Sequence, residues 1–246
     1  MDLNFITIGL FCDFGDMKKV VVFTGAGISA ESGIKTFRGG DGLWENHRIE
    51  DVATPQAWIA DRNLVLEFYN QRRKQLYEVE PNQAHIDIAK LEKYFNVHVI
   101  TQNVDDLHER AGSSRVLHLH GELKKVRSTI DSNLIYTLDG WELKDGDICE
   151  KGSQLRPHIV WFGEDVPSMN RAMMITQTAD VFIVIGTSLA VYPAANLLHY
   201  AVKATNKYLI DPNAELPYDV HDFNIIKSTA VVGVHKLLKK LIADYV

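Results

Sequence analysis

VVVFTGAGISA, residues 20–30, joins a run of β-branched and aromatic residues to a glycine-rich turn. Its first five residues have the composition of a short strand that is buried on both faces of a sheet. The turn has the pattern GxGxx(G/A), in which glycines let the backbone approach a pyrophosphate at a helix N-terminus. Taken alone, the pattern is equally typical of a plain tight turn between a strand and a helix.

One element of the usual dinucleotide-binding pattern is missing after this turn. An acidic residue should end a second strand roughly 20 residues further on and bind a ribose hydroxyl. The sequence predicts loop and helix in that region instead. An ordinary hydride-transfer enzyme is therefore disfavoured.

Strands and helices alternate along the rest of the chain. Short apolar runs like the first strand recur at residues 97–101, 116–119, 181–185 and 208–210. Helical patterns occupy residues 62–77, 83–95, 168–178, 194–204 and 234–245. This alternation predicts an α/β fold with a Rossmann-like parallel sheet and helices on both faces. Ligands of such sheets bind beyond the carboxyl ends of the strands, which would align residues 24–27, 101–105, 118–121 and 186–188.

Two stretches interrupt the alternation and predict a small domain built from two insertions. Residues 36–95 place two or three helices between the first two strands, and residues 122–155 are polar without a strong period. The Rossmann-like domain is accordingly assigned to residues 17–35, 96–121 and 156–246. Residues 1–16 precede Met17 and the first strand, and we expect them to be an extension that the fold does not need.

The composition disfavours several function classes. The net charge is −6 and the 26 lysines and arginines form no dense cluster, which argues against nucleic acid or an anionic membrane as ligand. The sequence has no apolar run of about 18 residues, so no transmembrane helix is predicted. The only two cysteines, Cys12 and Cys149, favour a cytoplasmic setting without a disulfide framework.

Five long motifs follow one another in an order that resembles the sirtuin (Sir2) family of NAD-dependent protein deacylases. They are GAGISAESGIKTFRGGDGLW (25–44), TQNVDDLHERAG (101–112), LHLHGEL (117–123), LRPHIVWFGE (155–164) and GTSLAVYPAA (186–195). The resemblance extends over residues 18–245. It implies that NAD is consumed as a co-substrate between the two domains and that acylated-lysine proteins are the substrates. It implies nothing about the oligomeric state.

By motif matching, the resemblance assigns the NAD contacts to residues of the predicted rim and its neighbours. The family usually has asparagine where this chain has Asp211, whose carboxylate also accepts ribose hydroxyls. The assigned residues are Gly25, Ala26 and Gly27 at the phosphates, Thr36, Phe37 and Arg38 on a loop over the nicotinamide, Gln102, Asn103, Val104 and Asp105 at the ribose and nicotinamide, Gly186, Thr187 and Ser188 at the adenosine, and in addition Trp44, Asp211, Pro212, Asn213 and Ala230.

The resemblance makes His120 the general base, with Asn103 and Asp105 as further catalytic residues. A histidine at a strand end is on its own more often a packed or surface residue, and His118, two positions earlier, does not match the family's base. In the implied reaction, the acyl oxygen displaces nicotinamide at the ribose C1′ and forms an O-alkylimidate. His120 then deprotonates a ribose hydroxyl, which attacks the imidate carbon. Hydrolysis then gives free lysine and O-acyl-ADP-ribose. Asp105 would stabilise positive charge on the ribose, or it would cap the following helix.

The segment HIVWFGE (158–164) would pair with the substrate backbone by strand addition. By residue type alone, this segment is more typical of an amphipathic core strand. The substrate contacts implied by the resemblance are Val160, Trp161, Phe162, Gly163 and Glu164.

Tyr69 and Arg72 share one face of the helix predicted at residues 62–77, because they stand three positions apart. A phenol and a guanidinium together can bind a carboxylate. The pair resembles that of sirtuins that remove succinyl, malonyl or glutaryl groups. Spacing alone favours a half-buried tyrosine and a surface arginine, and Arg73 should face elsewhere.

Sirtuins commonly hold a structural zinc with four cysteines in the insertion that precedes the LRPHIVWF segment. Here residues 121–157 contain Cys149 as their only cysteine, and they contain no histidine cluster. We therefore expect no metal. The insertion should instead be held by packing of Leu134, Tyr136, Leu138 and Trp141.

Three other functions stay open at this point. A plain NAD-dependent deacetylase would lack the preference for acidic acyl groups. An NAD hydrolase or ADP-ribosyltransferase would use the same pocket without acyl-lysine, which segment 158–164 and the Tyr69–Arg72 pair disfavour. A non-catalytic NAD sensor is disfavoured by His120 and by residues 102–105.

Overall fold

A computed structural model describes residues 17–35, 43–44 and 47–245, and of residues 43–44 it describes the backbone only. The expected extension at residues 1–16 and the loop residues Thr36, Phe37 and Arg38 lie outside the described residues. The described strands are β1 (Lys19–Thr24), β2 (Leu43–Trp44), β3 (His47–Arg48), β4 (Asn96–Thr101), β5 (Val116–His118), β6 (Gly121–Ser128), β7 (Ile135–Thr137), β8 (Leu155–Ile159), β9 (Val181–Ile185), β10 (Asn206–Ile210) and β11 (Phe223–Ile226).

The helices that connect these strands are of two kinds. Short 3₁₀ turns follow the glycine-rich motif, a longer 3₁₀ helix follows β9, and α-helices fill most other connections. The 3₁₀ helices cover Ala26–Ile28, Ala30–Ser32 and Ala194–Tyr200, and the α-helices are α1 (Ile49–Val52), α2 (Pro55–Ala60), α3 (Arg62–Leu76), α4 (Gln83–Leu91), α5 (Leu107–Arg110), α6 (Met169–Gln177) and α7 (Ala230–Tyr245).

Six strands form one sheet in the order β11-β10-β9-β1-β4-β5. Every neighbouring pair in it is parallel. The predicted α/β fold with a Rossmann-like parallel sheet is confirmed. The sequence did not predict the edge strand β11, because a strand with exposed residues lacks a continuous apolar run.

Helices cover both faces of this sheet. This explains why the sequence of β1 does not alternate between apolar and polar residues. Val20 and Val22 pack in a core with α4 and α7. Val21 and Phe23 pack in a second core with α6 and the 3₁₀ helix after β9. Successive side chains of a strand point to opposite faces, so a central strand of this architecture must be apolar throughout.

One predicted helix is wrong in type. Residues 194–204 were expected to form an α-helix, but they form a 3₁₀ helix that ends at Tyr200. Ala194, Leu197 and Ala201 are each fully buried in the core on this face of the sheet. Because the first two are three residues apart, a 3₁₀ turn places both against the same surface. Among the described residues, no helix has the length and apolar character needed to cross a membrane.

Elements of the two predicted insertions pack against each other. The antiparallel sheet β7-β6-β8 lies beside α3, and Leu123 joins Val65 and Phe68 in one core. Sequence patterns missed this sheet because β6, GELKKVRS, is rich in charged residues. Helix α4, which falls inside the first predicted insertion, packs instead on the main sheet with α7. The division into two domains at the stated boundaries remains a proposal.

The second insertion is held by part of the expected packing and by one buried cation. Tyr136 and Leu138 adjoin the local core, whereas Trp141 is 37% exposed. The guanidinium of Arg73 on α3 is fully buried. It donates to the carbonyl of Trp141 at 2.7 Å, to that of Leu123 at 3.4 Å, and to the side chain of Asn70. Burial lowers the pKa of Arg73 to about 10, which leaves it charged at neutral pH.

Replacing Arg73 with methionine should destabilise the chain. The variant keeps the apolar stem but leaves buried carbonyls without donors, at a cost of about 1–3 kcal/mol each. The measurement is thermal or urea unfolding. Lys74→Met is the matched control, because Lys74 is the exposed neighbour on the same helix. Equal stabilities for the two variants would contradict the anchoring role of Arg73.

Candidate active site

A cleft of about 630 Å³ opens beyond the carboxyl ends of β1, β4, β9 and β10. Its size falls in the range of small-molecule sites. Many residues assigned to NAD from the sequence meet here. The lining residues are Gly25, Ala26, Gly27, Ala30, Glu31, Gln102, Gly186, Thr187, Ser188, Val191, Ile210, Asp211, Pro212, Asn213, Thr229 and Ala230.

The glycines of the cleft let two strand ends approach each other closely. The amide of Gly27 donates to the carbonyl of Gly186 at 2.8 Å, and Gly25 donates to Ile185 at 3.0 Å. A Cβ atom on Gly27 would lie 2.6 Å from the Cα of Gly186. The amide of Gly27 is thus used inside the protein, and the expected α-helix after the turn is replaced by two 3₁₀ turns.

A smaller recess of about 130 Å³ adjoins the cleft. It shares Ala26, Gln102 and Val191 with the larger cleft, so the two form one continuous site. The other lining residues are Ser29, Ile34, Lys35, Asn103, Val104, Asp105 and Phe162. The recess therefore gathers Gln102, Asn103 and Asp105, as the sequence predicted.

Asn103 and Asp105 belong to one hydrogen-bond network that includes Ser29, a residue that sequence reasoning missed. The amide of Asn103 donates to the hydroxyl of Ser29 at 3.2 Å, and this hydroxyl donates to Asp105 at 2.9 Å. Asp105 also accepts the backbone N–H of Leu107 at 3.2 Å, so it holds the start of α5 as well. Burial raises the pKa of Asp105, while these two donors oppose the shift.

A buried polar cluster lies behind the network, and it too was missed. Thr24 bonds to Thr101 at 2.8 Å and lies 3.1 Å from the ring of His108. The Thr101 hydroxyl accepts the backbone N–H of Asn103 at 3.0 Å. Burial lowers the pKa of His108, which keeps its ring neutral. Threonines at the ends of β1 and β4 thereby fix the backbone of the segment that carries Asn103.

His120 is arranged to accept a proton. Its Nδ1 lies 3.1 Å from the carbonyl of Gln102. A carbonyl only accepts hydrogen bonds, so Nδ1 carries the hydrogen and Nε2 carries the lone pair. Burial lowers the pKa of His120, and this outweighs the carbonyl's opposite effect. The ring is therefore neutral at pH 7, the state that a general base requires.

Residues 160–164 form one wall of a groove beside His120, but not as a strand. β8 ends at Ile159. The amide of Phe162 donates to the carbonyl of Ala53 at 3.0 Å, and Glu164 accepts the amide of Trp161 at 2.8 Å. The groove is lined by His120, Val160, Trp161, Phe162, Gly163, Glu164, Val166, Val191, Tyr192 and Pro193.

Trp161 and Glu164 face the protein interior as well as this groove. Trp161 is 2% exposed. The guanidinium of Arg156 stacks on its ring at 3.3 Å from the centroid and pairs with Glu164 at 2.7 Å. Arg127 adds a second cation at 3.2 Å from the same carboxylate. This arrangement fixes the turn at residues 161–164.

Tyr69 and Arg72 lie on one face of α3, as predicted, but in different surroundings. Tyr69 is fully buried, and its hydroxyl accepts the indole N–H of Trp161 at 3.1 Å. Arg72 donates to the carbonyl of Phe68 at 2.8 Å and lies over the Phe68 ring. It lines a recess of about 40 Å³ with Val104 and Asp105. Arg72 thus adjoins the segment that carries Asn103.

The described residues offer no group of three or more His, Cys, Asp or Glu side chains suited to a metal ion. In the second insertion, Cys149 lies 3.4 Å from the hydroxyl of Ser128 and 3.3 Å from that of Ser153, and these hydroxyls are 2.8 Å apart. One thiol and two hydroxyls do not match the nitrogen and thiolate ligands of a tetrahedral zinc. They form a hydrogen-bonded cluster instead.

The fold and the cleft define the general class of this protein. It is an α/β protein whose ligand site lies beyond the carboxyl edge of a parallel sheet. The model of the Sir2 family matches residues 25–193. The chain belongs to the Sir2 family, which confirms the resemblance found in its motifs.

Relatives over nearly the whole chain carry one name. The NAD-dependent protein deacylase of Helicobacter pylori is 56% identical over 231 residues, which is 92% of this chain and 98% of the relative. The protein of the same name from Bacteroides thetaiotaomicron is 53% identical over 234 residues, 92% of this chain and 99% of the relative.

Solved structures agree with this family. A Sir2 homologue in complex with NAD has a TM-score of 0.83 at 40% identity and covers 94% of this chain and 92% of its own. A Sir2 complex with p53 peptide and NAD⁺ has a TM-score of 0.76 at 29% identity, over 94% and 96% of the two chains.

Proposed function

We propose that this chain is an NAD-dependent protein-lysine deacylase that releases nicotinamide and O-acyl-ADP-ribose. One observation carries the proposal: His120 lines the groove, and its Nδ1 lies 3.1 Å from the carbonyl of Gln102, which leaves Nε2 to accept a proton. Support also comes from the Sir2 relatives, which are named NAD-dependent protein deacylases. Acylated-lysine proteins are the proposed partners, in a cytoplasmic setting and without nucleic acid or membrane.

The cleft fits NAD by the chemistry of its lining. Backbone atoms of Gly25 and Gly186 border it without side chains, which suits close approach of phosphates. At the other end, one carboxylate oxygen of Asp211 accepts the amide of Asn213 at 2.8 Å. The carboxylate retains acceptor capacity for the ribose hydroxyls that NAD brings. Thr36, Phe37, Arg38 and Trp44 are proposed to complete this site.

Each residue of the recess and the groove has its own proposed role in the reaction. His120 takes a proton from a ribose hydroxyl through Nε2, while the Gln102 carbonyl fixes the ring's orientation. Asp105 places negative charge where a positively charged ribose would form, and Asn103 is positioned beside it by Ser29. NAD supplies the bond to nicotinamide that the reaction breaks. The buried setting strengthens each of these interactions.

The groove at residues 160–164 would hold the acylated segment of the substrate. Phe162, which is 43% exposed, borders both the groove and the recess. An extended peptide there would bring its lysine toward His120. Backbone pairing by strand addition gives affinity without strong dependence on peptide sequence.

A single comparison tests the enzyme assignment against its alternatives. The wild-type chain and His120→Asn are incubated with NAD and matched acetyl-lysine and succinyl-lysine peptides, and products are identified by mass spectrometry. Wild type should yield free lysine peptide and O-acyl-ADP-ribose, and loss of the base should slow this about 10²–10⁴-fold. ADP-ribose without peptide change would indicate a hydrolase, and no turnover would indicate a sensor.

We further propose that the enzyme prefers succinyl and malonyl groups over acetyl. Arg72 lines a recess that adjoins Val104 and Asp105, so a carboxylate on the acyl chain would meet its guanidinium. Burial raises the pKa of Tyr69, which keeps the phenol protonated and able to donate. A plain deacetylase is the alternative.

Arg72→Met should depress desuccinylation strongly and spare deacetylation. A hydrogen bond to a charged group is worth about 1.5–3 kcal/mol, and only the succinyl substrate makes one here. The readout is kcat/KM on paired peptides. Lys74→Met, the exposed cation two residues on, controls for loss of charge. Equal losses on both substrates for Arg72→Met would reject the acidic-acyl preference.

We propose that the second insertion holds no zinc. The buried Arg73 and the Ser128–Cys149–Ser153 cluster supply contacts within it that need no metal. Elemental analysis of the purified chain should find far less than one zinc per chain, and a chelator should leave its melting temperature unchanged. One tightly bound zinc per chain would refute this.

A further inference from the structure

His118 lies directly beside the segment that carries Asn103 and Asp105. It ends β5, where the strand register pairs it with Thr101 at the end of β4. Its side chain is 8% exposed. The proposed reaction gives this histidine no role, and it does not match the family's base. Its burial and its contacts therefore serve another purpose.

Both ring nitrogens of His118 face hydrogen-bond acceptors. Nδ1 lies 2.9 Å from the carbonyl oxygen of Asn103, and Nε2 lies 2.8 Å from Oε1 of Glu109. A neutral imidazole has a single N–H, and it would set a lone pair against one of these oxygens. With Glu109 ionised, only the doubly protonated ring donates to both oxygens, so the geometry favours an imidazolium.

We propose that His118 is a positioning residue of the deacylation reaction. Held as a cation by Glu109, it binds the carbonyl of Asn103 and keeps residues 102–105 in their catalytic arrangement. The inference rests on the proposed function for the role of that segment. Glu109, on α5, is the partner that maintains the charge.

The charges that face His118 agree with this arrangement. Burial alone would lower the pKa of His118, but Glu109, the Asn103 carbonyl and Glu122 on β6 outweigh it and raise the pKa. Burial would raise the pKa of Glu109, but His118 and Lys125 lower it overall. The positive charge of His118 also lowers the pKa of His108 on α5 and opposes the rise in the pKa of Asp105.

Hydrogen bonds connect this cation to the recess. Asn103, whose carbonyl His118 binds, donates through its side-chain amide to Ser29, which donates to Asp105. The segment is thus held on one side by His118 and on the other by Ser29. Burial raises the pKa of Asp105, and the positive charge of His118 opposes that effect. His118 therefore both fixes the segment and favours the ionised carboxylate.

The sign of the pH dependence follows from the protonation states. A histidine whose pKa is raised in the folded chain stabilises its contacts at low pH, and loses this effect as the pH rises through the raised pKa. The hydrogen bond to Asn103 should therefore weaken on the alkaline side. On the acid side of the pH profile, activity should fall as His120 becomes protonated. The pKa of His120 is lowered, and its ring must be neutral to act as the base.

Three variants test the inference. Glu109→Gln removes the charge that holds His118 protonated, and His118→Asn keeps a donor near the Nδ1 position without the charge. His235→Asn is the control, because His235 pairs with Asp87 at 2.9 Å between α7 and α4. The measurements are the pH profile of kcat and kcat/KM with an acylated peptide, and ¹⁵N NMR of the histidine rings.

In wild type, NMR should find His118 doubly protonated at about pH 7, and in Glu109→Gln it should be neutral. In Glu109→Gln, the alkaline limb of the kcat profile should move to lower pH. In His118→Asn, this limb should vanish, and kcat should fall about tenfold because a charged hydrogen bond is lost. Peptide KM and the His235→Asn profile should not change. A combined Glu109→Gln/His118→Asn chain should lose no more than His118→Asn alone.

Two outcomes would overturn the inference while leaving the enzyme assignment intact. One is a neutral His118 in an active wild-type enzyme. The other is an alkaline limb that Glu109→Gln leaves in place, with changes in melting temperature only. If wild type turns over no acylated peptide, the proposed function fails and the positioning role fails with it, whatever the NMR result.

Discussion

The cleft depends on how closely the ends of β1 and β9 approach each other. Gly27 and Gly186 meet backbone to backbone, with a hydrogen bond of 2.8 Å between them. A methyl group on either residue would occupy space that the other residue fills. The side-chain amide of Gln102 donates to Thr187, the residue after Gly186, at 3.1 Å, which links this contact to residues 102–105. The glycines therefore serve the fold as much as any ligand.

Arginine side chains perform a common task elsewhere in the molecule. Irregular segments leave backbone carbonyls without partners from a helix or a sheet, and such carbonyls need donors when buried. Arg73 donates to Trp141, Arg156 donates to Ile159, and Arg110 donates to Leu76 and Val79. Of these contacts, the one from Arg156 fixes the chain just before the groove wall, where a rigid arrangement lowers the cost of binding.

The sequence was most informative where its patterns were local. The strand Val20–Thr24 and its glycine turn predicted a parallel sheet, because short strands that are apolar throughout are typical of sheets covered on both faces. The sheet of β6, β7 and β8 was missed, since its central strand β6 is rich in charged residues and β8, one of the partners of β6, begins only at Leu155. Ser29 could not be identified either, because its role depends on Asp105, which tertiary packing alone brings within 2.9 Å. The burial of Arg73 was not predicted either, because arginine is rarely fully buried and a sequence pattern gives no sign of it.

The position of Trp161 between two parts of the site limits how substitutions can alter either part alone. Trp161 belongs to the groove wall, and its indole N–H reaches the hydroxyl of Tyr69 on α3. The proposed peptide groove and the proposed acyl-binding pair therefore share the side chain of Trp161, and a change there would affect both. A lineage, or a protein engineer, that altered Trp161 for a new target protein would disturb the acyl end at the same time. A change at Tyr192, which also lines the groove and is 65% exposed, would leave the contacts of Trp161 in place.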